Sequence, residues 1–291
     1  MDKAAATHFA STGNSAITTE EIKLLVLDID GTISGKSNTI SKPVKQAIAA
    51  AQARGIQVAI ATGRMYRSAL RFHQEIGSVL PLAAYQGAWI QDPATDKIHR
   101  HSTVSREIAS QLLDYFEQPQ LRSLLSVHFY INDQLYVREL TTETKIYAER
   151  SGITAIPVGD LRQALNNEPT KVLALCDDTD VIDKILGNLR RQYTPAELYL
   201  TTSVATFFEA TNASVNKGTA VRYLAEELLG LQSANVMTIG DNFNDLEMLE
   251  YAGIGVAMGN APAGVRGIAN WVAPTVEEDG AAVAIEQFLL S

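Results

Sequence analysis

The run from Ile22 to Leu27 is almost wholly apolar and stops abruptly at Asp28. So short an apolar stretch, without polar alternation, reads as a strand covered on both faces, which is the parallel-sheet arrangement. Parallel strands need crossovers, and the sequence supplies them. Ser41 and Pro43 give helix start signals, Val44, Ile48 and Ala51 recur at helical spacing, and Gly55 stands where a helix would close. A second strand, Ile56 to Ala61, ends at Thr62-Gly63-Arg64, an amphipathic segment spans Tyr66 to Ile76, and a short apolar piece covers Leu82 to Tyr85. The rhythm returns near the C-terminus as a helix from Lys217 to about Leu229, a strand Val236 to Ile239, a helix Asp245 to Ala252 and a strand Ile254 to Ala257.

Between these ends the pattern changes. Leu125 to Ile131 and Gln134 to Leu140 alternate like strands of a hairpin joined at Asn132-Asp133, and Lys171 to Cys176 precedes a helix opening at Asp178. The expected fold is α/β: a Rossmann-like parallel-sheet core with helices on both faces, built from residues 21–85 and 212–291, plus an inserted α+β cap domain at 86–211. Residues 1–20, rich in Ala, Ser and Thr and lacking a continuous apolar stretch, read as a mobile tail. A length of 291 residues suits two domains.

The net charge of −9 offers no basic field for nucleic acid or an anionic membrane surface. No apolar run approaches the roughly 18 residues of a membrane span. Cys176 is the single cysteine, so no internal disulfide forms, and a cytoplasmic setting fits best. An acidic chain binds anions locally, through a metal ion, a lysine or backbone N–H groups.

Right-handed crossovers gather the carboxyl ends of parallel strands on one edge, where open α/β folds bind ligands. Asp28 and Thr62 fall there, as does Gly240-Asp241, with Asn244 and Asp245 in the next turn. Carboxylates ending buried strands need a compensating cation. Asp28, Asp30 and Asp241 would give a hard, all-oxygen site suited to Mg²⁺. An EF-hand would need Gly and Glu where this chain has Ile33 and Thr39, and a P-loop ending at Gly35-Lys36-Ser37 would need Gly at Asp30. Neither fits.

Four strings carry a resemblance: Asp28-Ile29-Asp30-Gly31-Thr32, Thr62-Gly63-Arg64, Asn216-Lys217-Gly218 and Gly240-Asp241-Asn242-Phe243-Asn244-Asp245. In this order they resemble the motifs of the haloacid dehalogenase (HAD) superfamily, and the insertion resembles the cap of its Cof-type, subclass IIB phosphatases. One departure is Gln86-Gly87-Ala88, where that pattern usually has Asn-Gly-Ala. The resemblance implies a Mg²⁺-dependent phosphatase acting on phosphate monoesters of small metabolites, such as sugar phosphates, pyridoxal phosphate or flavin-precursor phosphates. It implies Asp28 as the nucleophile that becomes an aspartyl-phosphate and Asp30 as acid and base. Ile29, Thr62, Gly63, Lys217 and Asn244 would bind phosphate. Asp28, the Asp30 carbonyl and Asp241 would hold the metal, and Asp245 would orient the others. A phosphomutase or phosphotransferase on the same core, or a non-catalytic phosphometabolite-binding protein, are the alternatives.

Other residues read more plainly. His99 and His101 share a strand face without a third zinc ligand and are taken as a solvated face. Cys176 reads as a small core residue. Trp89, Phe129 and Tyr130 fit either the inner surface of the cap or ordinary packing.

Overall fold

The computed structural model describes residues 22–291, so the tail expected at 1–20 lies outside the described residues. Five strands precede the inserted region or open it: β1 (Leu24–Leu27), β2 (Gln57–Ile60), β3 (Leu82–Ala84), β4 (Trp89–Gln91) and β5 (Ile98–His101). Six more follow, β6 (Ser126–Ile131), β7 (Gln134–Val137), β8 (Ala155–Pro157), β9 (Lys171–Leu175), β10 (Leu198–Thr201) and β11 (Phe207–Asn212). The chain then returns through β12 (Val236–Gly240), β13 (Ile254–Ala257) and β14 (Trp271–Val272).

The core sheet has the order β14-β13-β12-β1-β2, parallel throughout. A bridge from Ala61 to Ala83 adds β3 beside its edge. Every residue of β1 is buried. Leu25 and Leu27 face a cluster containing Val44, Ile48 and Ala51 of the helix Lys42–Ala53, while Leu24 and Val26 face Ala220, Val221 and Leu224. Two covered faces explain the missing alternation, and each such leucine contributes about 1.5–3 kcal/mol of burial. The crossover helix starts and stops as its residues predict: Ser41 Oγ accepts the Val44 N–H, and Gly55, at φ +84°, follows its end. Leu27 pairs with both Ile239 and Ile60, so Asp28, Ala61 and Gly240 lie level at the carboxyl edge.

The second sheet runs β10-β11-β9-β6-β7-β8, antiparallel except for β7 and β8. Its hairpin turns at Asn132 and Asp133, both left-handed, as a two-residue primed turn requires. Helices Arg106–Phe116 and Thr179–Gln192 cover one face through Phe129, Val172 and Phe208, and Asp178 caps the second of them. Tyr130, Leu173 and Leu175 on the other face join the cluster that holds Met65 and Tyr85 of the core. The antiparallel β3-β4-β5 sheet packs differently. Ile90 shares a cluster with Leu224, and the Arg100 guanidinium lies 4.1 Å over the Tyr223 ring, so residues 89–101 rest on the core helix that starts at Lys217. That helix is α-helical to Arg222 and continues to Leu228 as a wider π turn. Asn212 Nδ2 donates to the Thr103 carbonyl at 2.8 Å, so the chain enters and leaves the insertion at neighbouring points. No helix among the described residues is long and apolar enough to cross a membrane.

Candidate active site

The level strand ends bring together what the sequence separates by more than two hundred residues. Carboxylate oxygens of Asp28, Asp241 and Asp245 all lie within 4.8 Å of one another. Lys217, fully buried at the start of its helix, donates from Nζ to Asp28 Oδ1 at 2.6 Å and to Asp245 Oδ1 at 2.5 Å. Asn216 caps that helix reciprocally with Thr219 and so fixes where the lysine starts. Asp245 uses its other oxygen to accept the Asp241 and Asn242 N–H groups at 2.8 and 3.0 Å. This carboxylate is therefore committed to shaping the turn.

Burial drives the Asp28 carboxyl up to about 7, with Lys217 pulling the other way and the Asp245 charge adding to the rise. Burial likewise lifts Asp241 to about 9, reinforced by Asp28 and Asp245. Burial disfavours the Lys217 cation, but its two carboxylates more than offset this and its pKa rises. One ammonium shared between two carboxylates cannot hold three acidic groups ionised. The donors are hard oxygens, and a divalent cation would offset the burial that raises Asp28 and Asp241, so these carboxylates fit a divalent metal ion. Gly31 makes the approach possible. It has φ +80°, and a Cβ there would lie 2.1 Å from Asp241 Oδ2.

Asp30 is held elsewhere. Arg64 grips it with Nε to Oδ2 at 2.6 Å and Nη2 to Oδ1 at 2.7 Å, and Arg150 stands 4.0 Å away. Burial would raise this carboxyl, but the Arg64 hydrogen bonds and charge outweigh it and hold the group below its ordinary value. In the sequence Arg64 is only part of a motif; its fork on Asp30 is visible only in the fold.

Ile29 and Gly63 offer N–H groups that donate to no acceptor among the described residues. Thr62 does not sit at the start of a helix. The next helix begins at Tyr66 with Met65 as its cap, and Thr62 Oγ1 accepts the Arg64 N–H at 3.2 Å within the preceding turn. A helix dipole fades beyond the first turn, so these N–H groups act through their own dipoles. Asn244 is buried, donates from Nδ2 to Gln86 Oε1 at 3.1 Å, and leaves its buried Oδ1 unpartnered.

Asp28, Asp30, Thr62, Gly63, Arg64, Asp241 and Asn244 line a cleft of about 720 Å³ between the two sheets. The insertion supplies its opposite wall, where Tyr147 and Phe207 meet edge to face with centroids 5.9 Å apart, beside Leu173, Val204 and Arg150. The aromatic residues singled out from the sequence do not form that wall. Trp89 packs on the His101 ring at 4.3 Å, Phe129 lies in the cluster on the far face, and Tyr130 donates from its hydroxyl to that of Tyr147. His99 bonds the Tyr223 hydroxyl and His101 the Thr170 hydroxyl, and Cys176 is buried.

The polar floor of the insertion went unread in the sequence. Lys171 and Glu209, both buried, pair at 3.2 Å, and Lys171 also donates to the Gly63 carbonyl at 2.7 Å. Gln86 donates from Nε2 to Glu209 Oε2 at 3.1 Å. Tyr85, Gln86 and Gly87 follow one another at φ +52°, +62° and +96°. Two consecutive left-handed residues that are not glycine cost on the order of 1–3 kcal/mol each and cluster at functional sites. The only signal in the sequence was that Gln86 departs from the usual asparagine.

The comparisons agree with this geometry. A family profile described as haloacid dehalogenase-like hydrolase matches residues 25–285. The 5-amino-6-(5-phospho-D-ribitylamino)uracil phosphatase YitU of Bacillus subtilis is 30% identical over 91% of this chain and 97% of its own length. The solved structure of TM0651 from Thermotoga maritima superposes with a TM-score of 0.74 at 27% identity, covering 91% of this chain and 97% of that one. The subclass IIB sugar phosphatase BT4131 shares the fold with a TM-score of 0.79 at 23% identity, covering 91% and 98%. Two carboxylates clasping a buried lysine at the edge of a parallel sheet with a third beside them, under an inserted cap, together with a family match over most of its length, make this chain a member of the haloacid dehalogenase-like hydrolases, on their Cof-type phosphatase branch, and a phosphoric monoester hydrolase.

Proposed function

We propose that the protein is a Mg²⁺-dependent phosphatase that releases phosphate from small phosphorylated metabolites through an aspartyl-phosphate on Asp28. The observation that carries this reading is the Lys217 ammonium buried between Asp28, which lines the cleft, and Asp245, with the Asp241 carboxylate close to both. Lys217 fixes Asp28 Oδ1, which leaves Oδ2 as the attacking atom. Asp28, the Asp30 carbonyl and Asp241 would hold the metal. When bound, Mg²⁺ would supply the charge that lets an anionic carboxylate approach an anionic ester.

In the first half-reaction Asp28 Oδ2 bonds to phosphorus and the ester oxygen leaves. Asp30 gives that oxygen a proton that its carboxylate first takes up from solvent, which requires substrate to loosen one of the Arg64 bonds that keep the carboxyl ionised. In the second, Asp30 takes a proton from water as the water oxygen attacks phosphorus, and free phosphate and the Asp28 carboxylate are restored. Asp30 is poised as the base in the arrangement described. The Ile29 and Gly63 N–H groups, the Thr62 hydroxyl, Lys217 and Asn244 hold the phosphoryl oxygens, and Asp245 keeps the turn of Asp241 in place.

We place the cap at about 102–211, since residues 89–101 pack on the core helix. Its Tyr147–Phe207 wall suits the organic part of the substrate, which we take from sugar phosphates, pyridoxal phosphate and flavin-precursor phosphates, and the setting is cytoplasmic. A panel of these esters, assayed for phosphate release with and without Mg²⁺, tests the function. Release that stops without the metal and in Asp28→Asn supports it; undiminished release by a folded Asp28→Asn protein removes Asp28 as nucleophile.

A further inference from the structure

Asn244 has a carboxamide whose two ends differ chemically, and only its Nδ2 can donate to a phosphoryl oxygen. Its orientation is set by a neighbour the mechanism does not use. Glu209 accepts from Lys171 and from Ser203, so it faces Gln86 as an acceptor as well. Gln86 must therefore turn Nε2 toward Glu209, which turns Oε1 toward Asn244. Asn244 must in turn present Nδ2 to Gln86. That bond uses one hydrogen of Nδ2 and leaves the second for an acceptor in the cleft that Asn244 lines.

From this chain of bonds we propose that Gln86 is a positioning residue for phosphate: it fixes the donor edge of Asn244, and the cap strand β11 sets it through Glu209. The proposal rests on the reading of Asn244 as a phosphate contact. Three further observations support it. Gln86 is completely buried, so its amide has no water to reorient it. It holds a left-handed conformation at φ +62° that places its side chain between core and cap. Its Nε2 occupies the space in front of Gly63, where a Cβ would lie 2.5 Å away, so the same amide also abuts the phosphate-side turn.

The test compares the wild-type protein with Gln86→Leu, Gln86→Asn, Asn244→Ala and the Gln86→Leu/Asn244→Ala double variant. Binding of inorganic phosphate in Mg²⁺ is read by calorimetry, and kcat and KM are read with p-nitrophenyl phosphate. Gln86→Leu should weaken phosphate binding about tenfold to a hundredfold, the scale of a misplaced contact, and the double variant should bind no worse than Asn244→Ala alone. Gln86→Asn tolerates the left-handed backbone, keeps the fold if the leucine variant loses it, and should fall between leucine and wild type. Unchanged phosphate affinity in both Gln86 variants, losses that multiply in the double variant, or a wild-type protein that binds no phosphate would each overturn the proposal. If the binding pattern holds while the wild type hydrolyses no ester, the phosphatase reading fails alone. If esters are hydrolysed and the Gln86 variants bind phosphate normally, the positioning role fails alone.

Discussion

Replacing Lys217 by methionine keeps the side-chain volume but removes the ammonium that Asp28 and Asp245 share at 2.6 and 2.5 Å. Removing one partner of a buried ion pair typically costs about 3–5 kcal/mol, because the remaining charge is uncompensated. Here the cost should depend on pH. In the wild type, burial already holds Asp28 at about 7. Without Lys217, the cation that lowers it, its value climbs further, and over each pH unit of that climb the two proteins differ by about 1.4 kcal/mol. A carboxyl whose folded pKa exceeds its unfolded one binds protons more tightly when folded, so its stabilising contribution is present in acid and lost as pH rises through the folded value. Lowering the pH from 8 to 7 therefore stabilises the variant by about 1.4 kcal/mol that the wild type does not gain, and below 7 both gain alike. Urea unfolding in EDTA should show a deficit of about 3–5 kcal/mol at pH 8 that is smaller by about 1.4 kcal/mol at pH 6. A deficit below about 1 kcal/mol at pH 8, the range of surface pairs, or one that grows toward acid, would refute the argument.

Mg²⁺ should raise the melting temperature more at pH 9 than at pH 6, because protons on Asp28 (about 7) and Asp241 (about 9) compete with the metal; equal shifts at both values would place the ion elsewhere. Gly31→Ala puts a Cβ 2.1 Å from Asp241 Oδ2 at φ +80°, so it should cost about 1–2 kcal/mol of stability and about a hundredfold in kcat/KM; wild-type kinetics would mean that Asp241 has room to move. Asp30→Asn should slow both formation and breakdown of the phosphoenzyme by about 10²–10⁴, read by rapid quench, and an unchanged rate in either phase removes Asp30 from that phase.

The strand ends were legible because two-sided burial leaves a plain mark: an apolar run closed by a carboxylate at Asp28, a hydroxyl at Thr62 or Gly-Asp at Asp241. Helix limits at Ser41 and Asp178 were legible for the same local reason, a side chain that satisfies an exposed N–H. The cap wall was not. Tyr147 comes from a helix and Phe207 from a strand, and nothing local says that their rings meet. The Lys171–Glu209 pair joins adjacent strands, which no spacing rule connects. Tyr85 and Gln86 turn left-handed without the glycine or asparagine that usually signals it, because tertiary contacts with Asp133 and Glu209 hold them there. The grip of Arg64 on Asp30 likewise needed the two strand ends to be level.

The hydrogen bond from Asn212 to the Thr103 carbonyl closes the inserted stretch into a loop whose two ends touch. A stretch anchored in that way can be exchanged as a cassette without rerouting the chain beneath it. Evolution, or an engineer, can therefore rewrite which leaving group is accepted while the machinery that breaks the P–O bond is inherited intact, apart from the few amides and carboxylates that must be matched across the seam.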